Sequence, residues 1–593
     1  MWLINVSTLS LQAFHGGNIP PYAILSHTWE AEEVSFQEFA RASESSDNVA
    51  IAKKAGYRKI IAFCELARTE GHSYVWVDTC CIDKTSSAEL TEAINSMFGW
   101  YRNSQVCYAY LSDFEPDLVW GTQEPSEHTR SQFANFLGQC RWFTRGWCLQ
   151  ELLAPKNVCF MNQQWKEIGN RGLLSQLISN ITGIPRTALT TPPRNTVSSF
   201  PIAVRISWIS KRETTRVEDM SYSLLGILGV NMPTIYGEGH AAFTRLQSEI
   251  IRKDNDLSLF AFTGDQNTCG FESMLAKSPR AFNVSPSAGP YNKERYYLSG
   301  WLSAQYSLTN QGVFFPNAEL RHQRVPAHGH QYLLDLHYLD KRSHHRYLLL
   351  QKIGPGLFLR IQSSEERRKI FSKAAVSSPF CEPVCVLHRV PICIVQAGGH
   401  AHWERHAVRL RWKPWTKPGR RFYHVRSAEP RANWDMAANQ FLLQIGAPPE
   451  MHVHFAPGNH STNAEMRFFV LVIGVHTTER RKSVRMVTAR VVSAETWQRV
   501  NRTELGFRGN GLSEIPHTSD NTSSICIAGY DISMSVDLVK EPGCFDYYQV
   551  YLDWELAKER IKDVSTPSVV PDVVEVTEKS YPARVADADK SCK

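Results

Sequence analysis

Tyr22-Ala23-Ile24-Leu25-Ser26-His27-Thr28-Trp29 and Tyr74-Val75-Trp76-Val77-Asp78-Thr79-Cys80-Cys81 decide the fold of the N-terminal part. Each opens on a short, near-continuous apolar run and leaves it through polar residues. Such runs suit strands buried on both faces, whereas a half-buried strand would alternate. Pro20-Pro21 marks the start of the first. Val106-Cys107-Tyr108-Ala109-Tyr110-Leu111 and Val158-Cys159-Phe160-Met161 repeat the texture.

Between these runs the period lengthens. Ile60, Phe63, Cys64 and Ala67 recur at i, i+3, i+4, i+7 and predict a helix that stops near Gly71. Leu90, Ile94, Met97, Phe98 and Tyr101 share one face of a second helix, with Ser86-Ser87 as candidate caps. Trp147 to Leu153 predicts a short helix ending before Pro155. Apolar strands alternating with amphipathic helices indicate a doubly wound α/β domain with a parallel sheet. In such sheets ligands sit beyond the carboxyl ends of the strands. That rule points to Ser26-His27-Thr28-Trp29 and Asp78-Thr79-Cys80-Cys81.

Outward from this core (1–170), residues 171–256 read as a helical extension, clearest at 205–212, 218–228 and 239–253. Residues 257–555 change to strand-like segments between turns: Tyr296–Leu298, Tyr332–Leu336, Tyr347–Gln351, Leu357–Ile361, Phe468–Val475 and Ile525–Ala528. They predict one or two β-rich domains, sandwich-like, to which position assigns a sensing or regulatory role. Residues 556–593 lack periodicity and read as a disordered tail.

The chain of 593 residues is 43% hydrophobic and 21% charged, a globular composition that excludes a largely disordered protein. No run reaches the ~18–20 apolar residues that span a bilayer. Met1–Asn5 lacks the basic flank of a secretory signal. Fourteen scattered cysteines are too sparse for a disulfide scaffold, so reduced thiols and a cytoplasmic location are expected. The net charge of +7 comes from Arg405 to Arg426, which holds eight Lys/Arg and no acid. Trp412, Trp415, Phe422 and Tyr423 lie among these cations, and a solvated β-hairpin with cation–π packing is preferred to a nucleic-acid surface.

No Gly-x-x-x-x-Gly-Lys-Ser/Thr, post-strand Gly-x-Gly-x-x-Gly or His-Glu-x-x-His occurs. Cys381, Cys385, His388, Cys393, His400, His402 and His406 are the right ligand types for zinc, at no common zinc spacing. Strand-like neighbours favour buried structural cysteines, and no metal or cofactor is expected. The chemistry instead points to Trp142-Phe143-Thr144-Arg145-Gly146-Trp147-Cys148-Leu149-Gln150-Glu151-Leu152-Leu153-Ala154-Pro155. Apolar surroundings disfavour the charged form of Glu151, a device common at catalytic sites. Beside an aromatic shelf it could stabilise a sugar cation. A first-turn glutamate complementing the helix dipole is the structural alternative.

Four strings, Tyr22–Trp29, Val75–Lys84, Ser87–Met97 and Arg145–Pro155, closely resemble the fungal heterokaryon-incompatibility (HET) domain family. Arg212-Glu213-Thr214-Thr215-Arg216-Val217-Glu218-Asp219 and Tyr236-Gly237-Glu238-Gly239 are similar to its downstream motifs. The resemblance implies a cytosolic protein of non-self recognition that triggers cell death when incompatible hyphae fuse, acting with an unidentified partner protein. It also implies a fold similar to TIR domains, many of which cleave NAD at the nicotinamide–ribose bond. By that similarity Glu151 is the candidate catalytic carboxylate. Trp29 and Trp147 are candidates for stacking on the bases, and Ser26, His27 and Asp78 for lining the substrate site. NAD would be substrate rather than cofactor. The alternative is a non-enzymatic adaptor that signals by self-association of the N-terminal domain.

Overall fold

The computed structural model describes residues 1–44, 49–115, 120, 127–190, 197–263, 271–282, 305–325, 329–339, 345–354, 356–361 and 380–388. After these it describes the backbone of eleven strands between Ala407 and Glu575. The N-terminal sheet has seven strands: β1 (Trp2–Asn5), β2 (Ser10–Ala13), β3 (Ala23–His27), β4 (Tyr74–Trp76), β5 (Val106–Tyr110), β6 (Val158–Met161) and β7 (Glu167–Asn170). Their spatial order is β2-β1-β4-β3-β5-β6-β7. Strands β4, β3, β5 and β6 run parallel. The edges do not, which corrects the all-parallel reading. β1 is antiparallel to β2 and β4, and β7 to β6. Four residues join β1 to β2 and five join β6 to β7, too few for the crossover that parallel pairing requires.

All five residues of β3 are buried, as its apolar run demands. The chain places β4 on one side of β3 and β5 on the other. The strand order therefore reverses at β3, and a crevice opens there beyond the carboxyl ends. The helix Ala55–Thr69 buries Ile60, Phe63, Cys64 and Ala67. The helix Ser87–Asn103 is capped by Ser86, whose Oγ accepts from the Glu89 amide at 3.3 Å. It buries Ala93, Ile94, Met97 and Tyr101. Every residue of the short helix Cys148–Leu153 is buried.

The expected helical extension forms Ser175–Thr182, Arg186–Thr190, Ile202–Ser207, Asp219–Tyr222, Leu225–Leu228 and Ala241–Lys253. It joins the core by close contact: a Cβ on Gly226 would collide with the Phe98 side chain of the Ser87–Asn103 helix.

The first sheet of the β-rich region differs from the expected sandwich. β8 (Phe271–Glu272) and β9 (Ser307–Leu308) flank β10 (Gly312–Val325), β11 (Gly329–Leu339), β12 (His345–Gly354), β13 (Leu357–Ile361) and β14 (Phe380–Leu387). These last five pair in sequence order, and β10 pairs with both β11 and β14. The ring closes into a five-stranded barrel, with β13 and β14 parallel. Closure leaves no free edge on these strands.

Six further strands form one sheet: β15 (Ala407–Trp412), β17 (Trp434–Asp435), β18 (Gln440–Leu442), β22 (Thr522–Ile527), β23 (Tyr530–Val539) and β24 (Tyr547–Leu556). Another five-stranded sheet holds β16 (Tyr423–Glu429), β19 (Glu450–Pro457), β20 (Phe469–Thr477), β21 (Val484–Ser493) and β25 (Val574–Glu575). β15 pairs with β18 and β24, whereas β16 pairs with β19. The basic segment is therefore not a hairpin, because its two halves enter different sheets. Within the expected disordered tail, β25 pairs with β21. The remainder of that tail and Tyr296–Leu298 lie outside the described residues.

One contiguous cluster of buried side chains runs from Leu3 through the helical extension to Val386 of the barrel. At the barrel junction the Phe260 and Phe315 rings meet at 5.9 Å. Arg360 of β13 pairs with Glu272 at 3.0 Å, both nearly inaccessible to solvent. Among the described residues no helix is long and apolar enough to cross a membrane.

Candidate functional site

The crevice beyond β3 is a cavity of about 310 Å³, lined by His27, Trp29, Asp78, Trp147 and Glu151 among others. Five of the six residues singled out in the sequence meet there. Ser26, the sixth, lies one layer beneath and holds Glu151 from below.

Glu151 enters on the Cys148–Leu153 helix, with only 5% of its surface exposed. Its Oε2 accepts from the Ser26 hydroxyl. Ser26 in turn accepts from the Trp142 indole N–H at 2.7 Å. An indole nitrogen can only donate, so the hydroxyl proton points to Glu151 and the carboxyl orientation is fixed. Burial pushes the Glu151 pKa up to about 8, and the nearby Asp78 charge adds to the rise. The Ser26 and Cys148 hydrogen bonds and the Arg212 charge oppose it.

Asp78 leaves β4 on the facing side. Its Oδ1 lies 3.0 Å from His27 Nε2, and its Oδ2 accepts from Trp29 Nε1 at 2.8 Å. Burial works against its charge, but the His27 hydrogen bond, Lys84 and the Trp29 N–H outweigh that effect and hold the pKa at about 2. Lys59 Nζ stands 2.8 Å from His27 Nδ1 and 2.5 Å from Glu33 Oε1. His27 Nδ1 also lies 3.2 Å from the Thr28 carbonyl, so the ring is held through both of its nitrogens.

Sequence reasoning had not assigned the remaining walls. Lys84 sits 3.9 Å over the Trp29 ring, and Arg216 4.4 Å over the Tyr236 ring. The Tyr236 hydroxyl donates to Asp219 at 3.0 Å, and Trp147 also hydrogen-bonds Asp219. Lys84, Arg145 and Arg216 bring three cations to a cavity that also offers aromatic faces. The buried Arg212 lies just behind. Its Nη1 donates to the Arg145 carbonyl at 2.9 Å, whereas its buried Nη2 has no hydrogen-bond partner among the described residues. Burial lowers its pKa to about 10 against the pull of Cys148 and Glu151. The downstream strings containing Arg212, Arg216, Asp219 and Tyr236 were visible, but no local spacing ties them to Glu151.

The arrangement offers a carboxyl that exchanges its proton near neutrality, a second carboxylate that stays ionised, aromatic shelves and cations. That set suits an anionic ligand carrying aromatic rings.

Residues 22–151 match the family model described as heterokaryon incompatibility protein (HET). A stretch of 245 residues is 46% identical to "Vegetative incompatibility protein HET-E-1" of Podospora anserina. It covers 41% of this chain and 17% of that relative, so the chain spans about a sixth of its length. No solved structure matches. The whole candidate cavity up to Glu151 on one wall falls inside the HET match, while Arg216, Asp219 and Tyr236 lie beyond it.

Among the described residues no group of His, Cys, Asp and Glu could hold a metal ion. Cys381 is exposed, which corrects the expectation that it is buried, whereas Cys385 on β14 is buried. Cys393, His400, His402 and His406 lie outside the described residues.

Proposed function

We propose that the chain is an incompatibility-type effector whose HET domain hydrolyses NAD at the nicotinamide–ribose bond and thereby triggers cell death. The observation that carries this reading is the buried Glu151, oriented by Ser26 and Trp142 at the carboxyl end of a sheet whose strand order reverses beside it. That strand order also supports a TIR-like relation. Trp29 and Trp147 would hold the rings, and Lys84, Arg145 and Arg216 the diphosphate. The Glu151 carboxylate would stabilise positive charge on the ribose carbon as nicotinamide leaves, and water would then attack that carbon. Asp78, held by His27, would position Trp29. The chain would act in the cytoplasm with a partner protein, its N-terminal domains self-associating on activation.

A non-enzymatic adaptor acting by self-association is the rival reading, and one substitution separates them. Glu151→Gln keeps the side-chain shape and removes the charge. Expressed in fungal cells at equal abundance, the variant is expected to lose killing that wild type retains. Equal killing by both would favour the adaptor.

A further inference from the structure

Behind the candidate site lies a larger cavity, of about 600 Å³, between the Ala241–Lys253 helix and residues 262–263 and 272–281. Its floor is apolar, built from Phe243, Phe262 and Leu275, all buried. Lys277 and Arg280 stand exposed on the rim and pair with no acid among the described residues. Glu213 and His240 also line it, and the Glu272 carboxylate is engaged by Arg360. An apolar floor under two exposed cations suits a ligand with an apolar body and an anionic head.

The two cavities share a wall. Glu213 and Thr214 line the rear cavity, whereas Thr215 and Arg216 line the candidate site. This strip is clamped to the lead-in of the Glu151 helix. The Glu213 amide donates to the Thr144 carbonyl at 2.7 Å, and the Gly146 amide to the Glu213 carbonyl at 2.8 Å. The packing is tight as well: a Cβ on Gly146 would stand 2.5 Å from Thr214 Cγ2. On the opposite side the wall is held by the barrel, where Arg360 donates to the Phe262 carbonyl at 2.5 Å and stacks 3.8 Å over its ring.

We propose that the rear cavity is a second ligand site for an amphipathic anion, an aromatic or acyl body bearing a sulfonate, carboxylate or phosphate. Its occupancy is transmitted to the Glu151 site through residues 213–216, because close-packed groups cannot move independently.

The test uses the full chain and 8-anilinonaphthalene-1-sulfonate as an amphipathic anionic probe. Titration by fluorescence is expected to show saturable binding that weakens at least tenfold in the Lys277→Glu/Arg280→Glu double variant, whose exposed sites leave the melting temperature unchanged. Bound probe is expected to slow amide exchange over residues 144–151 several-fold in wild type. Equal affinity in both proteins, or no saturation, would overturn the site. Saturable, charge-dependent binding with unchanged exchange over 144–151 would overturn the coupling. Neither readout involves NAD, so failure here is distinct from failure of the hydrolase reading.

Discussion

Glu151 and Asp78 share one cavity and are driven in opposite directions, to about 8 and about 2. Such separation assigns different roles to two carboxyls of similar intrinsic acidity. Its stability consequence has a definite sign. Unfolded, Glu151 would ionise near the ordinary 4.5; folded, it keeps its proton up to about 8. The stability that its protonated form contributes is complete below 4.5 and is lost as pH rises through 8. Glu151→Gln removes this dependence. The variant is expected to melt higher than wild type at pH 8 to 9, with the difference shrinking by pH 5, and calorimetry across that range checks it. If the carboxylate form is the active one, kcat/KM for NAD is expected to rise with pH and level near 8. A profile flat from pH 6 to 9 would contradict that role. Glu151 was legible because tryptophan, cysteine and leucine flank it in sequence. Arg212, Asp219 and Tyr236 were not, because their approach to Glu151 depends on long-range packing.

Elements were read best where their burial was most complete. β6 matches its expected limits, β5 ends one residue early, and the Ser87–Asn103 helix begins at its expected cap. β1, β2 and β7 went unread because each is only four residues long, and β2 and β7 are the sheet's edge strands. Ser86→Ala removes the acceptor for the Glu89 amide and is expected to cost about 1 kcal/mol in chemical denaturation. Gly226→Ala drives a methyl into Phe98 and is expected to cost about 1–3 kcal/mol. Because that contact joins the helical extension to the core, the loss should appear as earlier proteolysis within 197–256.

At the scale of the molecule, α/β core, helical extension and barrel share one buried cluster. A β-rich region was legible from turn spacing. Its closure into a barrel was not, because β10 finds β14 across a long separation and local texture carries no register. Glu272→Gln leaves the Arg360 guanidinium buried without its counter-charge and is expected to cost about 3–5 kcal/mol. The double change with Arg360→Met should recover much of that loss, measured by urea denaturation. The central claim, that the buried Glu151 site breaks the nicotinamide–ribose bond, is tested most directly by nicotinamide release. The concentrated wild-type chain and its Glu151→Gln variant would be incubated with NAD in parallel. The account predicts release by wild type and at least a hundredfold slower release by the variant. Equal release by both, or none from folded, self-associated wild type, would contradict it.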